Sequence, residues 1–220
     1  MFRVKVSMMA LFAVLAFSAM AAGSASASWF VGGTELKTSA KLSTTAVVDE
    51  PTTLSVPALG LSVLCKGGVL DGVSPEIIAG ETGKAASLKF LSCNTTVPAT
   101  GCALEESNQA IPTLGINAKA SLKSGSGVED RVLFSPQTKG TFAEIKFSEA
   151  NTCAFNSVEP VKGEVIVGAP TGQTESVGQA IVGLGSVENN SLEIGKGNKA
   201  FLNGGKALLT LASGSKWSFK

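Results

Sequence analysis

The chain has 220 residues with 18 basic and 17 acidic side chains, and its lysines are scattered singly, so it lacks the positive field that nucleic acid or an anionic membrane requires. Histidine and tyrosine are both absent, which removes Ser-His-Asp and Cys-His catalysis, histidine-held zinc and a phenolic acid or nucleophile in one step.

The first 27 residues read as a secretory signal peptide. Arg3 and Lys5 form a basic start, Met8 to Ala22 is an almost unbroken apolar run, and Ala25-Ser26-Ala27 is a small-x-small cleavage site. The run is shorter than the roughly 20 apolar residues of a spanning helix, and no cysteine follows it to take a lipid. Cleavage after Ala27 leaves residues 28–220 as a single exported all-β domain, with no membrane association expected.

Trp29 to Leu36 places Gly32-Gly33 between two β-prone runs, the signature of a tight hairpin. Thr38 to Thr45 reads as a loop or an edge strand. Thr52 to Leu59 and Leu61 to Cys65 resume β character, with Pro57 and Gly60 suited to an edge or a bend. Asp71-Gly72 is a turn, followed by a polar segment through Gly80 and Gly83. Ser87 to Cys93 is a strand, and Asn94 to Gly101 a turn-rich excursion that a bridge would tie down.

The cleanest alternation runs from Leu114 to Lys123, where Leu114, Ile116, Ala118, Ala120 and Leu122 share one face and the intervening polar residues the other. Arg131 to Phe134 is another strand. Thr141 to Val167 reads as two alternating strands separated by a loop that carries Cys153. Ala143, Ile145 and Phe147 alternate with charges in the first, and Val161, Gly163, Val165 and Val167 form the apolar side of the second. Gly168 to Gly178 is the longest polar linker, expected as a mobile surface loop.

Short strands follow at Ala180 to Leu184, Ser191 to Ile194, Ala200 to Leu202, Ala207 to Ala212 and Lys216 to Phe219. Turns of Asn-Asn, Gly-Asn, Gly-Gly and Ser-Gly-Ser divide them. About a dozen strands at this spacing predict an antiparallel β-sandwich or barrel. Trp29-Phe30 and Trp217-Ser218-Phe219 either pair as terminal strands or act as separate anchors, the plainer of the two readings.

Cys65, Cys93, Cys102 and Cys153 are an even number in an exported chain and predict two disulfides, with three connectivities open. No Cys-x-x-Cys pair is present, which argues against zinc. The acidic neighbours Asp49-Glu50, Glu105-Glu106 and Glu129-Asp130 are the carboxylate candidates, yet adjacent strand residues face opposite sides and cannot flank one glycosidic bond. Ser213-Gly214-Ser215-Lys216 has the spacing of a serine acyl enzyme, but that spacing needs a helix start and this one falls in a turn. Gly195 to Lys199 lacks the Walker spacing. Asp71, or Glu129 with Asp130, offers oxygen to calcium without the regular Asp-x-Asp spacing. No catalytic, cofactor-binding or metal-ligating residue is assigned, and no cofactor is called for.

The segments Trp29 to Leu36, Leu64-Cys65-Lys66, Leu88 to Cys93, Phe142 to Cys153 and Val161 to Val165 together resemble a group of uncharacterised secreted proteins of soil actinobacteria. The resemblance implies export and a β-rich fold, and it brings no functional residues with it. The expectation is a secreted, non-enzymatic β domain, a cell-envelope component or an extracellular binding module whose partner is an extracellular ligand or a cell-envelope polymer. A carboxylate-dependent secreted hydrolase acting on a glycan is the alternative.

Overall fold

The computed structural model describes residues 24–43, 47–72, 75–97, 102–105, 109–123, 130–138, 140–148, 153, 155, 158–184 and 191–220. The all-β expectation holds: among the described residues the one helical segment is a 3-10 turn at Pro57–Leu59. The strands are β1 (Ser24–Ser26), β2 (Trp29–Val31), β3 (Thr34–Glu35), β4 (Ser39–Lys41), β5 (Val47–Val56), β6 (Leu61–Asp71) and β7 (Glu76–Ile78). Next come β8 (Thr82–Ala85), β9 (Ser87–Val97), β10 (Ile111–Pro112), β11 (Ile116–Lys123), β12 (Asp130–Pro136), β13 (Thr141–Lys146) and β14 (Val158–Lys162). The chain ends with β15 (Val165–Ala169), β16 (Gly178–Leu184), β17 (Glu193–Ile194), β18 (Asn198–Lys199), β19 (Phe201–Thr210) and β20 (Trp217–Phe219).

Thirteen strands form one antiparallel sheet, twelve of them in the order β10-β9-β6-β5-β19-β16-β15-β12-β11-β8-β7-β4 and β1 paired beside β11. Right-handed twist accumulates across so many strands and curls the sheet. The curl brings the last strand back to a central one. Leu42, just after β4, bridges Leu211, just after β19; Ser43 N–H donates to Thr210 O at 2.7 Å and Ala212 N–H to Lys41 O at 2.8 Å. The eight strands from β19 round to β4 thus close into a ring, and the β4 edge that would otherwise lie open is satisfied.

Beyond the other end, β13-β14-β17-β18 form a four-stranded sheet. Thr113 joins the two. Its side chain accepts from Leu88 N–H at 2.8 Å, its own N–H donates to Leu88 O at 2.9 Å, and it bridges Ala143 of β13. A third sheet, β20-β2-β3, unites the two ends of the described chain, with Trp29 opposite Phe219 and Val31 opposite Trp217. The terminal strands do pair, against the plainer sequence reading. One hydrophobic cluster runs from Ala27 to Phe219.

Both expected disulfides form, as Cys65–Cys93 and Cys102–Cys153. Cys65 and Cys93 sit directly opposite on β6 and β9 with Cα atoms 3.9 Å apart. The Cys93 amide donates to Gln109 O at 2.8 Å, so this is a non-hydrogen-bonded position, where opposed side chains lie closest. Cys102–Cys153 ties the segment before β10 to the connection between β13 and β14. In the chain-entropy picture each bridge contributes about 2 to 4 kcal/mol.

Several sequence expectations need correction. The second strand of the Thr141 to Val167 stretch is two strands in two sheets: β14 pairs β13, whereas β15 pairs β12 and β16. Gly163, at φ +99°, makes the corner between them. Gly168 to Gly178 is not loop throughout, although Thr171, Gln173, Thr174 and Val177 between its ends are exposed. It begins inside β15, and Gly172 is buried beneath the Phe219 ring while its carbonyl accepts from Phe219 N–H at 2.8 Å. Ala200–Leu202 and Ala207–Ala212 are not separate strands, because Gly204 and Gly205, both at positive φ, let β19 run through them with a shifted register. The excursion after Cys93 starts as four more residues of β9, and the polar segment near Gly83 holds β7 and β8. Pro57 and Gly60 make the bend between β5 and β6, both central strands. Of the expected leader, residues 1–23 lie outside the described residues, Ser24–Ser26 pairs with β11, and Ala27 is buried.

Peptide mapping under non-reducing conditions is expected to find no free thiol and only the Cys65–Cys93 and Cys102–Cys153 links; a Cys93–Cys102 link would contradict this topology. Adding a methyl group to Gly172 drives a Cβ into the Phe219 ring, so Gly172→Ala is expected to cost about 1–3 kcal/mol in urea unfolding. Gly67→Ala places its Cβ 3.5 Å from Leu91 at an ordinary φ, and is expected to stabilise by about 0.4–1 kcal/mol.

Candidate functional site

The closed ring encloses an apolar cavity of about 90 Å³. Its walls come from every ring strand except β4, with Leu42 beside that strand completing them, and β2 and β20 cover it with aromatic rings. Trp29 lies 5.8 Å from Trp217, tilted by 50°, and 5.3 Å from Phe219 in an edge-to-face arrangement, distances at which aromatic pairs attract. Two smaller voids of about 70 and 40 Å³ are present as well, the first sharing Leu88, Phe134, Ile181 and Ala207 with the main cavity.

Polar groups are few in the cavity wall, and nearly all are spent. Trp29 Nε1 donates to Thr82 O at 2.6 Å. Gln179, fully buried, donates to Thr174 O at 2.8 Å and to Trp217 O, and its Oε1 accepts from Thr171 Oγ1 at 3.1 Å. Glu76 and Lys84, directly opposite on β7 and β8, form an ion pair at 3.0 Å where the lining meets solvent. The exception is Trp217, 3% exposed, whose indole N–H is buried with no hydrogen-bond partner. A buried Trp N–H normally finds an acceptor.

The carboxylates point to structure. Lys37–Glu35, Lys89–Asp71 at 2.7 Å, Lys119–Glu81 at 2.8 Å and Lys199–Glu193 at 2.5 Å join Lys84–Glu76 as pairs on the sheet surfaces. The lysines beside Glu35, Asp71 and Glu76 hold these carboxyls below their ordinary range by hydrogen bonding first and charge second. Glu76 is the one carboxylate lining the three voids.

The residues weighed from sequence do not converge. Glu50 and Glu105 are exposed; Glu106 and Glu129, and the side chain of Asp49, lie outside the described residues. Asp130 is buried and accepts from Gln173 Nε2 at 3.0 Å. Ser213 Oγ donates to Ser215 Oγ at 3.0 Å, in a turn rather than at a helix start. Lys199 of the Gly-Lys segment pairs with Glu193. Asp71 is tied to Lys89, and among the described residues no three metal-ligating side chains gather. The cavity itself escaped sequence reasoning. Its one signal was the pair of aromatic segments at the two ends of the chain.

Comparison with protein-family models, curated proteins and solved structures finds no match, so function has to be read from the chain's own geometry.

Because the folded Glu76 carboxyl titrates below its ordinary value near 4.5, its pairing stabilises the fold above that pH, and the stabilisation is lost as pH falls through the lower folded value. Glu76→Gln is therefore expected to unfold at a lower urea concentration than the parent at neutral pH, with the two midpoints converging as acid protonates the folded carboxyl. A gap that persists in acid would contradict the assignment.

Proposed function

We propose that the chain is an exported, non-enzymatic β module that binds a ligand outside the cytoplasm. The observation that carries this reading is the apolar cavity enclosed by the ring and covered by Trp29, Trp217 and Phe219. Closed β structures that keep interior space characteristically hold small ligands there. Two disulfides support an oxidising compartment, and together with the leader-like start they favour export. Five of the described carboxylates, Glu35, Asp71, Glu76, Glu81 and Glu193, are paired with lysines.

The test is a binding screen of the exported protein against glycans, cell-envelope polymers and small apolar compounds, with substrate turnover followed in parallel. Saturable binding without turnover is expected. Turnover abolished by a single Asp or Glu substitution would overturn the reading in favour of a carboxylate hydrolase.

A further inference from the structure

We propose that the cavity of the eight-stranded ring takes a small hydrocarbon, a molecule with no hydrogen-bonding group of its own. This rests on the reading of the chain as a binding module and names the chemistry of its ligand.

The polar inventory of the wall selects that class. Side chains such as Ile77, Ile116, Val132, Phe134 and Leu209 dominate the lining, and the polar groups beside them are committed elsewhere. Trp29 Nε1 is bonded to Thr82 O, both amide hydrogens of Gln179 are bonded to backbone carbonyls, and Lys84 is paired with Glu76. The Trp217 indole N–H has no partner, but its nitrogen is sealed from the cavity as it is from solvent, so no occupant can reach it. A ligand carrying a hydroxyl, a carbonyl or a charge would give up hydrogen bonds to water and find none inside. A hydrocarbon has none to lose.

Water is the competing occupant, and the same inventory excludes it. A buried water needs about two to four polar partners, whereas this wall presents almost no polar surface. Left empty, the space would deprive the lining side chains of dispersion contacts on one side, and an apolar molecule restores them without any desolvation cost. Size narrows the choice further. An apolar cavity of about 150 Å³ holds benzene, and on that scale the 90 Å³ here fits about three or four carbons.

The probes are isobutene and acetone, which share one shape and differ only in a methylene group against a carbonyl oxygen, with xenon as a second apolar probe. In methyl NMR spectra of the exported protein, isobutene and xenon are each expected to shift the signals of Ile77, Ile116 and Val132 saturably. Acetone is expected to bind at least about tenfold more weakly than isobutene, the consequence of a buried carbonyl without a partner. Ala180→Leu, which fills the cavity, should abolish the isobutene and xenon shifts; if it fails to fold, the isobutene and acetone comparison in the parent protein decides. Acetone bound as tightly as isobutene, lining methyl signals unmoved by both apolar probes, or an ordered water inside the cavity would overturn the assignment. Glycan or polymer binding retained in such a protein would show that only the cavity assignment, and not the binding-module reading, had failed.

Discussion

A twisted sheet of thirteen strands cannot stay flat, and in this protein the accumulated curl is resolved by returning β4 to β19, where Leu42 meets Leu211. Backbone hydrogen bonds on either side of that bridge replace contacts with water that the open edge of β4 would otherwise need. Once the ring is closed, its interior is bounded, and the side chains alternating inward must either fill it or leave space. They leave space. Small residues such as Ala118, Ala169, Ala180 and Ala207 line it where larger ones would have met across the middle.

The closure also explains the terminal pairing. A ring has open ends, and the short β20-β2-β3 sheet brings three large aromatic rings against its lining. The position of β20 is held by its neighbours: Trp217 and Ser176 exchange backbone hydrogen bonds, and Phe219 N–H donates to Gly172 O. Gln179 reaches the Trp217 carbonyl from β16 and so couples the ring wall to its cover. In β20 the Trp217 indole N–H and the Ser218 hydroxyl are both buried without a hydrogen-bond partner, exceptions that low-dielectric surroundings make costly.

Outside the ring, the same physics works with less at stake. The four-stranded sheet continues from β10 through Thr113, and Cys102–Cys153 holds its long connection near the strands it serves. The paired lysine and carboxylate side chains are exposed to differing degrees, from Lys37 at 75% to Glu76 at 18%, and exposed pairs of this kind contribute little each. They match charge across the sheet faces and keep the carboxylates apart from one another.

Period-two alternation made the β-class legible: β11 has Ile116 and Ala120 buried with Asn117 and Lys119 exposed, as its sequence pattern requires. The Gly32-Gly33 hairpin was equally legible, because two consecutive positive φ angles, +57° and +78°, are conformations that glycine adopts without a steric penalty. Glycine was also where local reading failed. Gly163 breaks a seemingly continuous strand into two sheets, while Gly204-Gly205 interrupts a strand that does not break, and only the neighbouring strands distinguish a corner from a bulge. Cysteine number implied two bridges, but which cysteines meet depended on β6 lying beside β9. By itself, then, the sequence determined strand content, wet and dry faces, the tight turns and the number of disulfides, since each follows from residues near one another in the chain. Sheet order, ring closure, the pairing of the two ends and the cavity were decided by tertiary structure alone, because they arise from contacts between strands as far apart as Trp29 and Phe219.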